Sequence, residues 1–472
     1  MEKAMRNIVP LLALLALSGC VSIPELKWPK FDLPAASSPL PPGEGRGVRE
    51  QRLDKWWSHY GDPTLDNLMT EALAHNADLR LAAARIDEAR ANLGLAEGAR
   101  QPTVGASLGA SRNQQSEANS FKPPISLSNK FQAGLQAAYE LDWWGRYRSA
   151  SEAARADLLA SEMGREVVRN GLTTTVANAW FSLRALDAQL NLADQTLANR
   201  RTWLDLQKLR YRVGEASELE LRQSEAELAA VESARTQLVR AQAEQANALA
   251  VLLGRSPRQQ AEAQHARGET LPAIPEVPAG LPSDLLARRP DLRQAEAALT
   301  AADARIAEAK AAIFPSLTLT ANLGSESKAL SDLFSGPATV WGLAASLAQT
   351  LYNAGRTEAA LQATLARREQ ALIGYEQSVR LAFRETLDAL VANRQAREQA
   401  EAEARRVEAQ RRATELAELR YKNGVASHLD VLDAQRNLYQ AEQGRLDADL
   451  ARLTASADLF KALGGGWRAD KP

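Results

Sequence analysis

Aromatic residues are scarce in this 472-residue chain, only 5% of the total, although the hydrophobic share is 45%. Most of that share is Ala and Leu, which favours long helices making narrow, close contacts. A single cysteine excludes any internal disulfide. The four histidines, His59, His75, His265 and His428, are scattered, and no two have metal-ligand spacing. A nucleophile motif, a phosphate loop and a dinucleotide fingerprint are all missing, so nothing supports an enzyme. The net charge of −1 supplies no excess of cations for a nucleic-acid partner, and none is expected.

The N-terminus indicates a destination. Lys3 and Arg6 precede an apolar run from Ile8 to Leu17, too short to span a bilayer as a helix. The run ends in "LSGC", which resembles the lipobox of bacterial lipoproteins. That resemblance implies removal of residues 1–19 as a signal peptide and a covalent lipid on Cys20, with no other cofactor. Val21 follows the cysteine, which by the same resemblance implies sorting to the outer membrane. Six prolines between Ser22 and Arg49 make the next stretch an extended tether.

The body of the chain is written twice. "LRYRVGEAS" at Leu209 returns as "LRYKNGVAS" at Leu419, 210 residues later. "NADLRLAAARIDEARANLGLAEGARQP" (Asn76 to Pro102) aligns without a gap on "RPDLRQAEAALTAADARIAEAKAAIFP" (Arg289 to Pro315), and "LDWWGR" at Leu141 answers "LYNAGR" at Leu351. Repetition on this scale means two copies of one architectural unit.

Within each unit the period changes. Asn76 to Arg100 reads as a helix that stops at Pro102. Val104, Ala106, Leu108 and Ala110 then alternate with small or polar residues, and so do Phe131, Ala133, Leu135, Ala137, Tyr139 and Leu141 after a polar loop at 112–129. The second unit repeats this with Leu317, Leu319, Ala321 and Leu323, then Trp341, Leu343, Ala345 and Leu347. Segments of about 10 alternating residues suit a transmembrane β-barrel, and Phe131, Tyr139 and Trp341 stand where interfacial aromatics would. Four strands cannot close in lipid without leaving backbone groups unpaired. The chain must therefore oligomerise, with 8 strands as a dimer or 12 as a trimer.

After each hairpin comes a long proline-free run. Arg146 to Val213, if helical, is about 100 Å long. Leu183, Leu190, Leu197, Leu204 and Tyr211 recur every seven residues as a coiled-coil seam, weaker in the second copy at Val407 and Tyr421. Glu215 to Leu253 is too short to match the descent, so the return path is expected to stack on the next unit's pre-hairpin helix. The duplicated phrases are the tips where the chain reverses. Arg210, Arg212, Arg420 and Lys422 are cations in a last helical turn, and Gly214 and Gly424 suit the left-handed residue that ends a helix. Ser217 and Ser427 cap the following helix, with Glu220 and Asp430 completing capping boxes.

Taken together, "LDKWWSHYGDPTLDNL", "YELDWWGR", "LPSDLLARRPDLRQAEAAL", "VLDAQRNLY" and "ALGGGW" resemble the outer-membrane efflux protein family of TolC-like channels, in its lipoprotein branch. The resemblance implies a mainly α fold with a membrane β-barrel. It implies a homotrimer with a 12-stranded barrel and a helical periplasmic tunnel, docked by a periplasmic adaptor and fed by an inner-membrane resistance-nodulation-division pump. The organisation is then a lipidated tether and equatorial segment (20–60), a first repeat (61–254; hairpin 102–142, tip near 214), an equatorial linker (255–288), a second repeat (289–466; hairpin 315–351, tip near 424) and a tail (467–472).

By the same resemblance Asp430, Asp433, Glu220 and Tyr421 match a pore constriction, and Val213, Gly214, Gly424 and Val425 match the adaptor-contacting tip. Asp430 and Asp433 share a helix face, so three-fold symmetry would make each a ring. Capping already accounts for Glu220 and Asp430, leaving Asp433 as the clearer pore residue. Ala426 stands where some relatives carry an arginine that anchors the constriction, so the closing network is expected to differ. Pro102, Pro315, Arg146 and Arg356 read as corners of the strand–helix junctions. The function implied is a passive exit duct for small molecules such as drugs or other toxic compounds. A protein-secretion duct and a non-pore scaffold lipoprotein compete with it, and the scaffold leaves the polar strand faces and the tip acids unexplained.

Overall fold

The computed structural model describes residues 53–114, 127–256, 258–259, 271–275 and 289–465. Cys20 and the tether lie outside these residues, as do most of the linker 255–288 and the tail 467–472. The first repeat contains α1 (Pro63–His75), α2 (Ala77–Gly98), β1 (Thr103–Gln114), β2 (Leu127–Leu141), α3 (Arg146–Arg212) and α4 (Glu218–Leu252). The second contains α5 (Pro290–Ala311), β3 (Ser316–Ser327), β4 (Thr339–Ala348), α6 (Arg356–Lys422) and α7 (His428–Ala462). Both long helices, α3 and α6, have 67 residues, about 100 Å each at the α-helical rise. Their starts and ends correspond at an offset of 210 (Arg146 to Arg356, Arg212 to Lys422). The duplication in sequence is therefore a duplication in structure.

Two compact units divide the chain, one of which contains 90–157 and 298–373. It carries a single antiparallel sheet in the order β1-β2-β3-β4. The register gathers the apolar set of all four strands on one face. Leu108 faces Ala133, Leu135 faces Leu323, and Leu323 faces Trp341. That face is bare: Leu108, Trp341 and Leu343 are each more than 70% exposed. An apolar sheet face of this extent is what a barrel turns towards lipid. Strands β1 and β2 run further than the alternation suggests, into the expected loop 112–129: β1 continues to Gln114 and β2 already begins at Leu127. The ladder continues through Arg112↔Asn129 and Asn113↔Ser128 because backbone pairing does not need apolar side chains.

The two hairpins join where Gly134 faces Gly324. A Cβ on Gly324 would stand 2.4 Å from the Ala133 carbonyl oxygen and 2.7 Å from the Gly134 Cα. Backbone cannot yield to such a contact, so Gly324→Ala should cost about 2 kcal/mol. Gly134→Ala meets only a 3.2 Å approach and should cost less. Thermal unfolding of the two purified variants checks this, and a reversed order would refute the account.

At the start of α3, the Asp142 carboxylate accepts from the Tyr147 and Arg148 amides (3.1 and 2.8 Å). The Trp144 indole stacks on Phe314 at 4.5 Å and donates to the Pro315 carbonyl (2.9 Å). Arg146 pairs with Glu140 at 2.7 Å. These contacts turn the chain from strand to helix.

The other unit is helical. Its core is built around the segment Leu53–Tyr60, a tight 3-10 turn, and α1. Trp56 stacks on Phe460 at 5.3 Å and Tyr60 meets Phe181 at 4.9 Å. The Tyr60 hydroxyl bonds Ser456, and the Trp180 indole donates to the Asp62 carboxylate (2.7 Å). Burial, the dominant effect, pushes the Tyr60 phenol well above its ordinary range, so it stays protonated. Leu271 and Ile274, from the linker, pack on the same core.

The return helices meet a different partner from the one expected. Asn76 donates from Nδ2 to the Leu252 carbonyl at the end of α4 (2.9 Å), while its Oδ1 accepts from the Asp78 and Leu79 amides of α2. In the second copy Arg289 donates to the Ala462 carbonyl at the end of α7 (3.1 Å) and grips Asp291 at the start of α5 (3.0 and 2.7 Å). Each return helix therefore abuts the pre-hairpin helix of its own repeat, not of the next. The reason is mutual need: one end has orphan carbonyls, the other orphan amides, and one polar side chain serves both.

The seam also departs from its heptad. Leu183, Leu190, Leu197 and Leu204 are buried, but Tyr211 is exposed and Gln207 is the buried side chain instead. Near the tip the packing partners are polar, and an amide satisfies them where a leucine could not.

Candidate functional site at the helical tips

Both tips close with the same hydrogen bonds. The Gly214 amide donates to the Tyr211 carbonyl (3.1 Å) and Glu215 to Arg210 (2.8 Å); Gly424 donates to Tyr421 (2.9 Å) and Val425 to Arg420 (3.0 Å). Gly214 and Gly424 have φ of 80° and 74°, the left-handed region in which a side chain is strained. Val213 and Val425, at the two turns, are exposed, as are Leu219 and Leu429 just beyond them.

Helices α4 and α7 both open with a full capping box. The Ser217 amide donates to the Glu220 carboxylate (2.7 Å), and the Ser427 amide to the Asp430 carboxylate (2.8 Å). The backbone and hydroxyl donors of Ser427 hold the Asp430 carboxyl below its ordinary value. Asp433 lies outside the cap. Its exposed carboxylate pairs with Arg436 (3.4 Å), which also bonds Glu227 of α4. Glu227 in turn faces the buried Arg200 at 3.8 Å, and Arg200 donates to the Gln435 amide oxygen (2.6 Å). Burial lowers the Arg200 pKa. Asp433 thus ends a charged ladder linking the two helical hairpins.

Tyr421 is drawn into a second linkage. Its hydroxyl accepts from Arg210 (2.6 Å) and from Gln207 (2.9 Å), both on α3, and the Arg210 guanidinium also lies over its ring at 5.2 Å. Trp203 and His428 flank the ring at 5.9 Å each. His428 is 2% exposed, and its two ring nitrogens lie 3.3 Å from Gln207 Nε2 and 3.1 Å from Ser224 Oγ. Four helices, α3, α4, α6 and α7, contribute to this one cluster.

Of the residues expected from sequence, Tyr421 belongs to the cluster and Glu220 lies electrostatically close to His428. Asp430 is committed to its cap, and Asp433 to Arg436. Gln207, Ser224, His428, Arg200 and Arg436 were not foreseen. Gln207 is a polar residue three positions after Leu204 of the seam. His428 breaks the repeat, since Glu218 stands at the equivalent position in the first tip. Among the described residues no cluster of three or more His, Cys, Asp or Glu could hold a metal. None of their helices is long and apolar enough to cross a membrane.

A bare apolar sheet with two open edges, joined to duplicated helical hairpins that end in polar tips, defines a channel protein of the barrel-and-helix type. The chain belongs to the outer membrane efflux protein family, whose model matches residues 68–255 and 281–465. It is 33% identical to the cation efflux system protein CusC of Escherichia coli O6:H1, over 98% of this chain and 99% of that protein. It is 36% identical to the pyoverdine export outer membrane protein OpmQ of Pseudomonas aeruginosa, over 99% of this chain and 98% of that protein. The open-state MtrE outer membrane channel of Neisseria gonorrhoeae superposes with a TM-score of 0.82 at 32% identity, covering 95% of this chain and 98% of that one. The chain is an outer-membrane exit duct of an efflux system.

Proposed function

We propose that three copies of this chain join their sheets into one 12-stranded barrel, and that the duct is passive, performing no chemistry of its own. The observation that carries this reading is the sheet with its apolar face bare and both edges, β1 and β4, unpaired among the described residues. In lipid those edges must be paired, and identical copies supply complementary edges. A periplasmic adaptor docks at the tips through Val213, Gly214, Gly424 and Val425, and an inner-membrane pump of the resistance-nodulation-division class supplies the energy. The tip residues Asp430, Asp433, Glu220 and Tyr421 form the constriction. The cargo is small molecules, selected by the partners. In support, the similar proteins CusC and OpmQ are named for cargoes as different as cations and pyoverdine. Cys20 carries a covalent lipid that adds an outer-membrane anchor; no nucleic acid takes part.

Planar-bilayer recording of the purified full chain tests the duct. Discrete channel currents are expected, and inserted protein that passes none would remove the reading. Cys20→Ser should lose the mass of the lipid yet still require detergent, because the sheet face remains. A variant soluble without detergent would favour the scaffold instead.

A further inference from the structure

The hydrogen-bond directions around His428 determine its protonation state. Ser224 uses its one hydroxyl hydrogen on the Glu220 carbonyl (3.0 Å), so its oxygen accepts from His428 Nε2–H. Gln207 presents its amide N–H to Nδ1, which must accept. The neighbours therefore hold one tautomer of the neutral ring, protonated on Nε2 alone. A second proton would go to Nδ1 and point at a donor. The only acceptor within the same side chain is Gln207 Oε1, which is buried without a partner. Turning the amide to offer it would reverse the Tyr421 bond, the phenol then donating to Oε1, and would carry the amide N–H into the buried position where Oε1 now finds no partner.

The charges around the ring oppose a second proton as well. Arg200 and Arg210 face it from α3, Glu220 from α4, and the Tyr421 phenol from α6. Glu220 alone favours the imidazolium, and its carboxylate is already engaged by Ser217. Burial is the largest effect, and the His428 pKa lies below its ordinary value of about 6.5.

From this geometry we infer that His428 is an acid-sensitive pin, holding the two helical hairpins of a protomer together while neutral and loosening them when it gains a proton. The sign follows from linkage. A loosened tip returns the ring to water and restores its ordinary affinity for a proton, so the packed tip binds protons less well than the loosened one. The packed state keeps its full advantage above about pH 6.5 and loses it progressively as the pH falls below that. In the duct this makes the tip easier to open in an acidic medium. That last step rests on the tip being the constriction; the pin itself does not.

The test is amide hydrogen exchange of the purified full chain at pH 7.5 and pH 5.0, corrected for the intrinsic rate, read over 203–224 and 418–432. Wild type should show tip exchange about fivefold faster at pH 5.0, with the seam around Leu190 unchanged. His428→Gln keeps a donor towards Ser224 but cannot titrate in this range, and its tips should show no acid step. Gln207→Glu places a carboxylate beside Nδ1, accommodates the second proton, and should also abolish the step even if His428→Gln folds poorly. An acid step of equal size in all three proteins, or none in wild type, overturns the pin. Channel currents recorded at the same two pH values separate the readings. Exchange that responds to acid while wild-type currents do not would retain the pin and move the constriction elsewhere.

Discussion

Arg289→Ala is expected to destabilise the helical unit by about 3 kcal/mol, a larger loss than truncation at the matching junction of the first repeat. The guanidinium is buried and makes five contacts: two to Asp291, one to Glu385 (2.6 Å), and one each to the Ala382 and Ala462 carbonyls (3.4 and 3.1 Å). Removing it leaves the Ala462 carbonyl with only the long contact from the Thr386 hydroxyl (3.5 Å) and takes the guanidinium from two carboxylates. Both carboxylates reach solvent, so water recovers part of the cost and the loss falls at the low end for a broken buried pair. Arg289→Lys keeps the charge but cannot fork towards Asp291 and two carbonyls at once, and should recover less than half. Asn76→Ala, the matching change in the first repeat, removes one helix cap and one carbonyl donor and should cost about 1–2 kcal/mol. Thermal unfolding followed by circular dichroism ranks the three. If Arg289→Ala melts with wild type, the clasp contributes nothing and the junction is held by the apolar core alone.

That comparison shows what the sequence conveys and what it hides. The repeats, strand faces, long helices, turns and capping boxes follow local rules of period and spacing, and all were legible. The clasps were not. "NADL" and "RPDL" align without a gap, yet an asparagine and an arginine do the same work by different reach, which only the partner carbonyls reveal. The tip cluster was hidden for the same reason. Tyr421 matches a constriction residue by family resemblance alone, and nothing in its own helix shows that its hydroxyl is shared with Arg210 and Gln207 from a helix more than 200 residues earlier. His428, with no ligand-like neighbour in sequence, becomes informative only when Gln207 and Ser224 are seen against its two nitrogens.

Alanine at both Asp430 and Asp433 is expected to give clearly larger and less cation-selective channel currents than wild type. The two residues contribute differently, and the structure separates them. Asp430→Ala removes the carboxylate that accepts the Ser427 amide and hydroxyl (2.8 Å each), which weakens the first turn of α7 and loosens the tip. Asp433→Ala leaves the cap intact but frees Arg436 to turn wholly towards Glu227, exchanging a negative edge for a neutral one. Asparagine distinguishes charge from cap, since Asp430→Asn can still accept from Ser427. The Asp430→Asn/Asp433→Asn protein should therefore lose cation preference with little gain in conductance, whereas the double alanine protein should show both changes. Because the Asp430 pKa is depressed, its charge and cap persist above its ordinary value of about 3.8 and fail only as the pH falls through the folded value. At pH 5.0 the carboxylate is still ionised, so loosening there does not come from Asp430. Equal currents in wild type and the double alanine protein would leave the duct intact but take the constriction away from these carboxylates, with Tyr421 and its Arg210 partner the next position to vary.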